Sequence, residues 1–520
     1  MKRHINKSFF YILGLLLLTG SCKTDLLDQV NPNALSVDRF FKDAKDAQLA
    51  LVGAYSPLST HFMWGRYVPL VTIRRADEYT PSFLPGKTEG IITKSTDIFL
   101  PTPWPASYKV IFRANTILEK VPAIEMDDTE KNEILGQAYF LRALAYFYLL
   151  NIWDNVPLIT EAAKGTEDFF PTNSTPDKVW EQIISDLIVA QQFLPVSWSA
   201  QDAGRATKGA ASALLGKSYL YTKDWGNAAI ELKKVINSNY DLTANYADNF
   251  KESTENNIES VFEIQFQTDV AFVWEADVPG AMKSSMFTNL RAPIAFGGEW
   301  VDAVNPWVLD AFLEEPNLDG GIDERAFSTL AWNNANSKIY ENQPFQGSVL
   351  DPTKVYAKKY TGMLVDGRPN DGDLGVNTGL NYRLIRFADV LLMYSEAVNE
   401  NGGPETEILS ALNRVRQRAN MANIPTGLSK SQLRDKIRKE RILELSLETD
   451  RFFDLKRWGT LVDRMNGNAD MVGNTGATAD QIRQSGHPEY NFPFAEIHSR
   501  APIPSIEISS NPNLNQNPGY

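Results

Sequence analysis

Cysteine occurs once in the 520-residue chain, at Cys22. An exported protein with one thiol closes no internal disulfide, so its stability has to come from burial and pairing. Histidine is nearly as scarce: His4, His61, His487 and His498 are the four, with neither a His-Glu-x-x-His pair nor a spaced Cys set to hold a metal. No Gly-x-Ser-x-Gly elbow and no phosphate-binding P-loop is present. Metallohydrolase, serine hydrolase and nucleotide-dependent chemistry therefore lack their residues, and no catalytic residue, metal or cofactor is expected. Positive charge is in deficit as well. The formal net charge is −13, and it becomes more negative if Lys2, Arg3 and Lys7 leave with a leader. Nucleic acid is not an expected partner, because phosphate contacts need clustered Lys and Arg. Beyond the N-terminus no apolar run approaches the roughly 20 residues that span a bilayer.

What the N-terminus does have is a leader. Lys2, Arg3 and Lys7 precede an apolar run from Phe9 to Leu18, and the small residues Thr19, Gly20 and Ser21 come next, before Cys22. A run of about ten is too short for a membrane helix and suits a secretory signal. The sole Cys sits where a bacterial lipoprotein is cleaved and acylated, although Leu18 stands one place further from it than the usual pattern. Residues 1–21 are thus expected to be a signal peptide, Cys22 a lipid anchor, 22–33 a polar tether and 34–520 a single domain.

Aromatic residues are in surplus, at 11% with 11 Trp, and helical periodicity is strong in two long stretches. From Gly204 to Asn237 the chain reads as two amphipathic helices joined by a turn. Trp225, Ala228, Ala229, Leu232, Val235 and Ile236 fall on one face of the second helix. In the first, Ala211, Leu215 and Tyr219 offer a partner face, while Gly209, Ala210, Ala213 and Gly216 permit a close crossing. Counting Gly216 as position 8 of a 34-residue tetratricopeptide (TPR) repeat places Tyr219 at 11, Ala228 at 20 and Leu232 at 24, as that repeat requires. Such a hairpin cannot bury its own face, so further helix pairs must stack on it.

The same reading gives helices from Ser36 to about Leu58, Trp104 to Val121, Asp128 to Trp153, Thr175 to Leu194, Tyr382 to Asn401, Glu405 to Ala419, Ser429 to Leu447 and Arg451 to Met465. The Asp128 helix is apolar nearly all round and should be central. The expected fold class is mainly α, with a helical scaffold over 34–60, 104–239 and 381–465. Loop-rich portions cover 61–103 and 240–380, with a β-like run at Val261 to Phe266. An irregular tail fills 466–520. About 140 residues without strong periodicity are too many for a passive loop, so the middle portion is the expected functional insertion.

Several segments resemble the SusD/RagB family of surface lipoproteins that bind nutrients for SusC-type TonB-dependent transporters. They are QAYFLRALAYFYLLNIWDNVPL (Gln137 to Leu158), GRATKGAASALLGKSYLYTKDW (Gly204 to Trp225), NYRLIRFADVLLMYSEAVNE (Asn381 to Glu400), ALNRVRQRA (Ala411 to Ala419), IRKERILELSLETDRFFDLKRWG (Ile437 to Gly459) and the ending IPSIEISSNPNLNQNPGY. The resemblance implies one domain of TPR-like helix pairs capped by loops that hold the ligand. It also implies an outer-membrane location and a SusC-type partner. Arg142, Trp180, Trp225, Glu440, Arg441, Glu444, Arg451, Asp454 and Trp458 lie on matched positions and read as structural.

Three constellations bear on function. Glu440, Glu444, Glu448 and Asp454 could supply a glycosidase's two carboxylates, but Arg441, Arg451, Lys456 and Arg457 lie among them, and an ion-pair web pinning the last helices accounts for the charges. The run Asp366 to Gly375 is acidic, yet it lacks the ligand order of a calcium loop and reads as a solvated turn. Loop aromatics remain. Sugar rings stack their C–H faces on Trp and Tyr while polar groups take the hydroxyls. Trp64, Trp198, Trp274, Trp300 and Trp332 fall in loop-like sequence. The expected ligand site is Trp64, Tyr67, Asp77, Trp274, Trp300, Trp332 and Tyr340, in a groove formed where the insertion folds back beside the N-terminal loop. The expected ligand is a glycan; a peptide, or a purely protein-binding TPR adaptor with its loop Trp residues buried, is the alternative.

Overall fold

The computed structural model describes residues 40–81, 94–96, 101–267, 285, 291–296, 298, 302–339, 342–361, 378–466 and 494–520. Helix α1 (Ala44–Tyr55) lies within the helix expected from Ser36 to about Leu58, whose start falls outside the described residues. Residues 41–43 break the helical path, and the Asp43 carboxylate caps α1 by accepting the Asp46 N–H at 3.1 Å. A short helix, α2 (Tyr67–Ile73), forms inside the stretch expected to be loop; its residues from Val68 onward are all buried. Strand β1 (Tyr79–Pro81) and helix α3 (Pro103–Lys120) come next. Helix α4 (Asp128–Trp153) has the bounds its periodicity gave and is capped by Asp127. Every residue from Phe140 to Trp153 is buried, so α4 is the central helix expected. Helix α5 (Pro176–Phe193) carries Pro at its first position, where the missing N–H has no partner to lose.

The hairpin of α6 (Lys208–Tyr221) and α7 (Trp225–Ile236) is as close as its small residues allow. A Cβ on Gly216 would lie 2.6 Å from Leu232 Cγ, so repeat positions 8 and 24 are in direct contact. Consecutive helices pack in the order α3, α4, α5, α6, α7, with α1 laid across α3 and α4. The stack continues across the insertion. Its elements are β2 (Ser260–Ile264), β3 (Asp302–Val304), α8 (Pro306–Leu313), α9 (Arg325–Thr329), β4 (Leu330–Ala331), β5 (Tyr356–Ala357) and β6 (Tyr382–Arg386). Helix α10 (Phe387–Glu400) then packs on α7, and α11 (Glu405–Arg418) and α12 (Lys430–Leu445) pack on α10.

Residues Tyr382 to Arg386 were expected as helix and are strand. β6 pairs antiparallel with β2, Ile264 opposite Tyr382, closing the insertion's two ends on each other. Pairing with a distant strand overrides the local period. The expected helix over 451–465 is likewise two, α13 (Asp450–Arg457) and α14 (Leu461–Met465), parted at Gly459, whose φ of +70° glycine adopts without strain. In the tail, α15 (Ser505–Ser510) is short. The tail's asparagines dock it: Asn517 Nδ2 donates to the carbonyls of Trp153 and Ala501 at 2.6 and 2.8 Å. Among the described residues no helix is long and apolar enough to cross a membrane.

Candidate functional site

The insertion does fold back beside the N-terminal loop. β1 and β3 pair antiparallel, with Tyr79 opposite Val304. The turn into α8 completes the clasp: Asn305 N–H donates to the Glu78 carbonyl at 2.9 Å, and Asn305 Nδ2 and Trp307 Nε1 both donate to the Asp77 carbonyl, at 2.6 and 2.8 Å. Two loop segments far apart in sequence thus leave the scaffold side by side.

Of the residues expected to line a groove there, the structure assigns several to other work. Trp64 has no exposed surface. Its ring meets Tyr148 edge-on at 4.7 Å and stacks on Tyr382 at 5.1 Å, so it plugs the seam between α4 and β6 and is a core residue. Asp77 is 1% exposed and is held by Arg451 and Arg464. Burial alone would raise its pKa, but the two guanidinium charges and their hydrogen bonds outweigh burial and hold it well below the carboxylate range. It has no acceptor oxygen to offer a sugar. Trp332 is buried too, stacked on Phe327 at 5.0 Å; beside it Asn333 and Gln346 are exposed and joined by a 3.2 Å hydrogen bond. Tyr67 opens α2, half-buried, with the Arg66 guanidinium 5.4 Å from its ring centre. Trp274, Trp300 and Tyr340 lie outside the described residues, as do Cys22 and the Asp366 to Gly375 run.

The carboxylates of α12, α13 and the turn between them form an ion-pair web, as expected, but with mostly different partners. Glu440 pairs with Arg325 and Arg416 at 2.6 and 2.9 Å, and Glu444 with Arg418, Arg386 and Arg325 at 2.6, 2.9 and 3.1 Å. Glu448 takes Arg386 and Lys359, and Asp454 takes Arg441 and Arg457. Most of these cations come from the insertion, β6 and α11 rather than from neighbours along the helix. Lys456 and Arg451 look elsewhere, to Asp154 and Asp77. Burial would raise the Glu444 pKa, but three Arg charges pull it far down. That is opposite to what a general acid needs.

Glu78, next to Asp77, has its pKa shifted in the opposite direction. It is 1% exposed, and burial pushes its carboxyl up to about 8 despite the Arg451 charge nearby. Its Oε1 accepts the Leu447 N–H at 3.1 Å. No group of three or more metal-ligating side chains occurs among the described residues.

A family described as the SusD family matches residues 282–520, and one described as starch-binding, associating with the outer membrane, matches residues 83–220. The chain belongs to the SusD/RagB family. SusD-like protein P2 of Formosa agariphila is 28% identical over 98% of this chain and 99% of its own. Among solved SusD structures, a superfamily member from Bacteroides vulgatus superposes with a TM-score of 0.76 at 26% identity, covering 92% of this chain and all of that one. A SusD-like protein described as laminarin-binding gives 0.69 at 26% identity, with the same coverages of 92% and 100%.

Proposed function

We propose that this SusD-family protein captures a glycan at the cell surface, without turning it over, and passes it to a SusC-type TonB-dependent transporter in the outer membrane. The observation that supports this most is family membership joined to full-length similarity with a laminarin-binding SusD-like protein. The clasp supports the place: β1 ends at Pro81 opposite Asp302, where β3 begins two residues after Trp300 in sequence. In this reading Trp274, Trp300 and Tyr340 stack on successive sugars, with Tyr67 beside them. Aromatic platforms suit the task, since a stack immobilises few rotamers and several weak stacks add along a polymer. Acylation of Cys22 holds the protein at the outer membrane.

Calorimetry against laminarin, soluble starch and other polysaccharides tests capture. Binding by wild type should weaken about tenfold to a hundredfold in Trp300→Ala, as expected for loss of one buried aromatic contact. Affinity for peptides with none for any polysaccharide would overturn it. A TonB-dependent barrel should co-purify from native membranes, and Cys22→Ala should yield a folded protein free of the membrane. A wild-type protein without acyl mass would sink the anchoring.

A further inference from the structure

The scaffold holds a cavity of about 670 Å³ on the α6–α7 hairpin, within the roughly 300–1,000 Å³ of small-ligand pockets. It lies between the segment Val196 to Ser199, the first turns of α6, the end of α7 and the edge of β2. Three aromatic residues line it: Trp198 and Tyr240, both half-buried, and the buried Phe262.

The placement of Trp198 and Tyr240 is fixed, and their polar tips are already used. Trp198 Nε1–H donates to the Ala206 carbonyl at 2.8 Å, and the Tyr240 and Thr207 hydroxyls share a 2.8 Å hydrogen bond. Gly209 makes room for the tyrosine, since a Cβ there would lie 2.4 Å from the ring. What the cavity receives from both residues is carbon surface.

The polar groups divide just as clearly. Arg205 is taken by Asp202 and Gln48, Lys234 by Glu231, and Glu263 by Arg383. Those charges are neutralised within the protein. By contrast, the side chains of Ser197, Lys208, Asn239 and Ser260 have no hydrogen-bond or ionic partner among the described residues, and all four line the cavity. A purely apolar ligand would strand these groups, and a multiply charged one would find a single unneutralised cation. Carbon faces beside hydroxyl, amide and ammonium groups match a sugar ring.

A neighbouring cavity of about 640 Å³ shares Ala203 to Arg205, Phe262 and Glu263 as a wall and is otherwise lined by Leu49, Leu51, Val52 and Leu58 together with Tyr55, Arg113 and Phe266.

We infer that the α6–α7 cavity is a second saccharide site on the helical scaffold, separate from the loop-borne site, with Trp198 and Tyr240 as its platform and Lys208 and Asn239 as hydroxyl partners. The inference rests on the reading of this protein as glycan-binding. It gives the protein two grips on one polymer, which raises retention without a tighter single site.

Fluorine NMR of the full-length protein labelled with fluorotryptophan tests it, the Trp198 signal being assigned by Trp198→Phe. Glucose, galactose and laminaritriose are titrated separately. The Trp198 signal should shift saturably with at least one of them, and Asn239→Ala with Lys208→Met should weaken that response about tenfold. Both residues are exposed, so the variants should fold. If other Trp signals move and Trp198 does not, the second site is wrong while glycan capture stands. If Trp198 moves but the double variant leaves its response unchanged, the ring reports a distant event and the assignment fails. If no Trp signal moves, the second site is wrong and capture itself is called into question.

Discussion

Asp77 and Arg451 meet as a bidentate pair, Nε to Oδ1 at 2.8 Å and Nη2 to Oδ2 at 2.9 Å, across 374 positions of sequence. Arg464 adds a second cation to the same carboxylate, and the Trp307 ring lies against both guanidinium groups, at 5.5 and 4.7 Å from their carbons. The N-terminal loop, the insertion and the last helices are fastened at this one point.

Asp77→Ala leaves two buried guanidinium groups without their carboxylate, and losing one partner of such a pair costs about 3–5 kcal/mol. Urea unfolding should show the unfolding free energy falling by that amount, as a lower midpoint with little change in slope. Because the folded-state pKa lies below the ordinary 3.8, the pair's contribution is present above that pH and is lost as pH falls below it. The variant should therefore lose less stability than wild type on acidification below about pH 4. An unchanged midpoint would refute the assignment.

Glu78 works in the opposite sense. Its folded-state pKa is raised from 4.5 to about 8, so the folded protein holds a proton that the unfolded chain has released. Stability from this group is fully present below 4.5 and declines as pH rises towards 8. Glu78→Gln should flatten the fall in unfolding free energy across that interval. An equal slope in both proteins would show that Glu78 is not the group responsible.

Trp64→Ala removes a fully buried ring from between Tyr148 and Tyr382. Replacing a buried aromatic by Ala costs about 3–5 kcal/mol. The melting temperature should drop, while glycan affinity of the fraction that remains folded should hold. A variant that melts like wild type and loses binding would put Trp64 back at the ligand.

Gly216→Ala should separate α6 from α7, because its Cβ would come within 2.6 Å of Leu232 Cγ. Overpacking of this kind costs about 1–3 kcal/mol. Pairing it with Leu232→Ala should recover part of the loss, read as a coupling energy in a double-mutant cycle. Strict additivity would mean that the two positions do not touch.

How much was legible in the sequence depended on the range of the interaction. Helix α4 could be bounded because its cap and apolar period are local, and the α6–α7 hairpin because Gly216 and Leu232 stand only 16 places apart. Charge offered much weaker guidance. Lys217, in the middle of the apolar run Ala213 to Leu220, looks like an interruption. In the fold its ammonium is buried against Asp450 at 2.5 Å and Asp389 at 3.3 Å, both supplied by the far end of the chain.

By itself the sequence determined the mainly helical class of the protein, its stacked helix pairs and the family. The first two come from periodicity and caps, which are local, and the third from the resemblance of whole segments of adjacent residues. Tertiary structure alone decided which aromatics face solvent. Trp64 and Trp198 both sit in irregular sequence; the first is sealed between Tyr148 and Tyr382, while the second lines an open cavity. Burial depends on what distant segments bring to a residue, and β6, expected as helix, is the strand that closes over Trp64. Asp77 obeys the same rule. An acidic residue in a loop reads as a ligand contact until Arg451 and Arg464 arrive from the other end of the chain and take both of its oxygens.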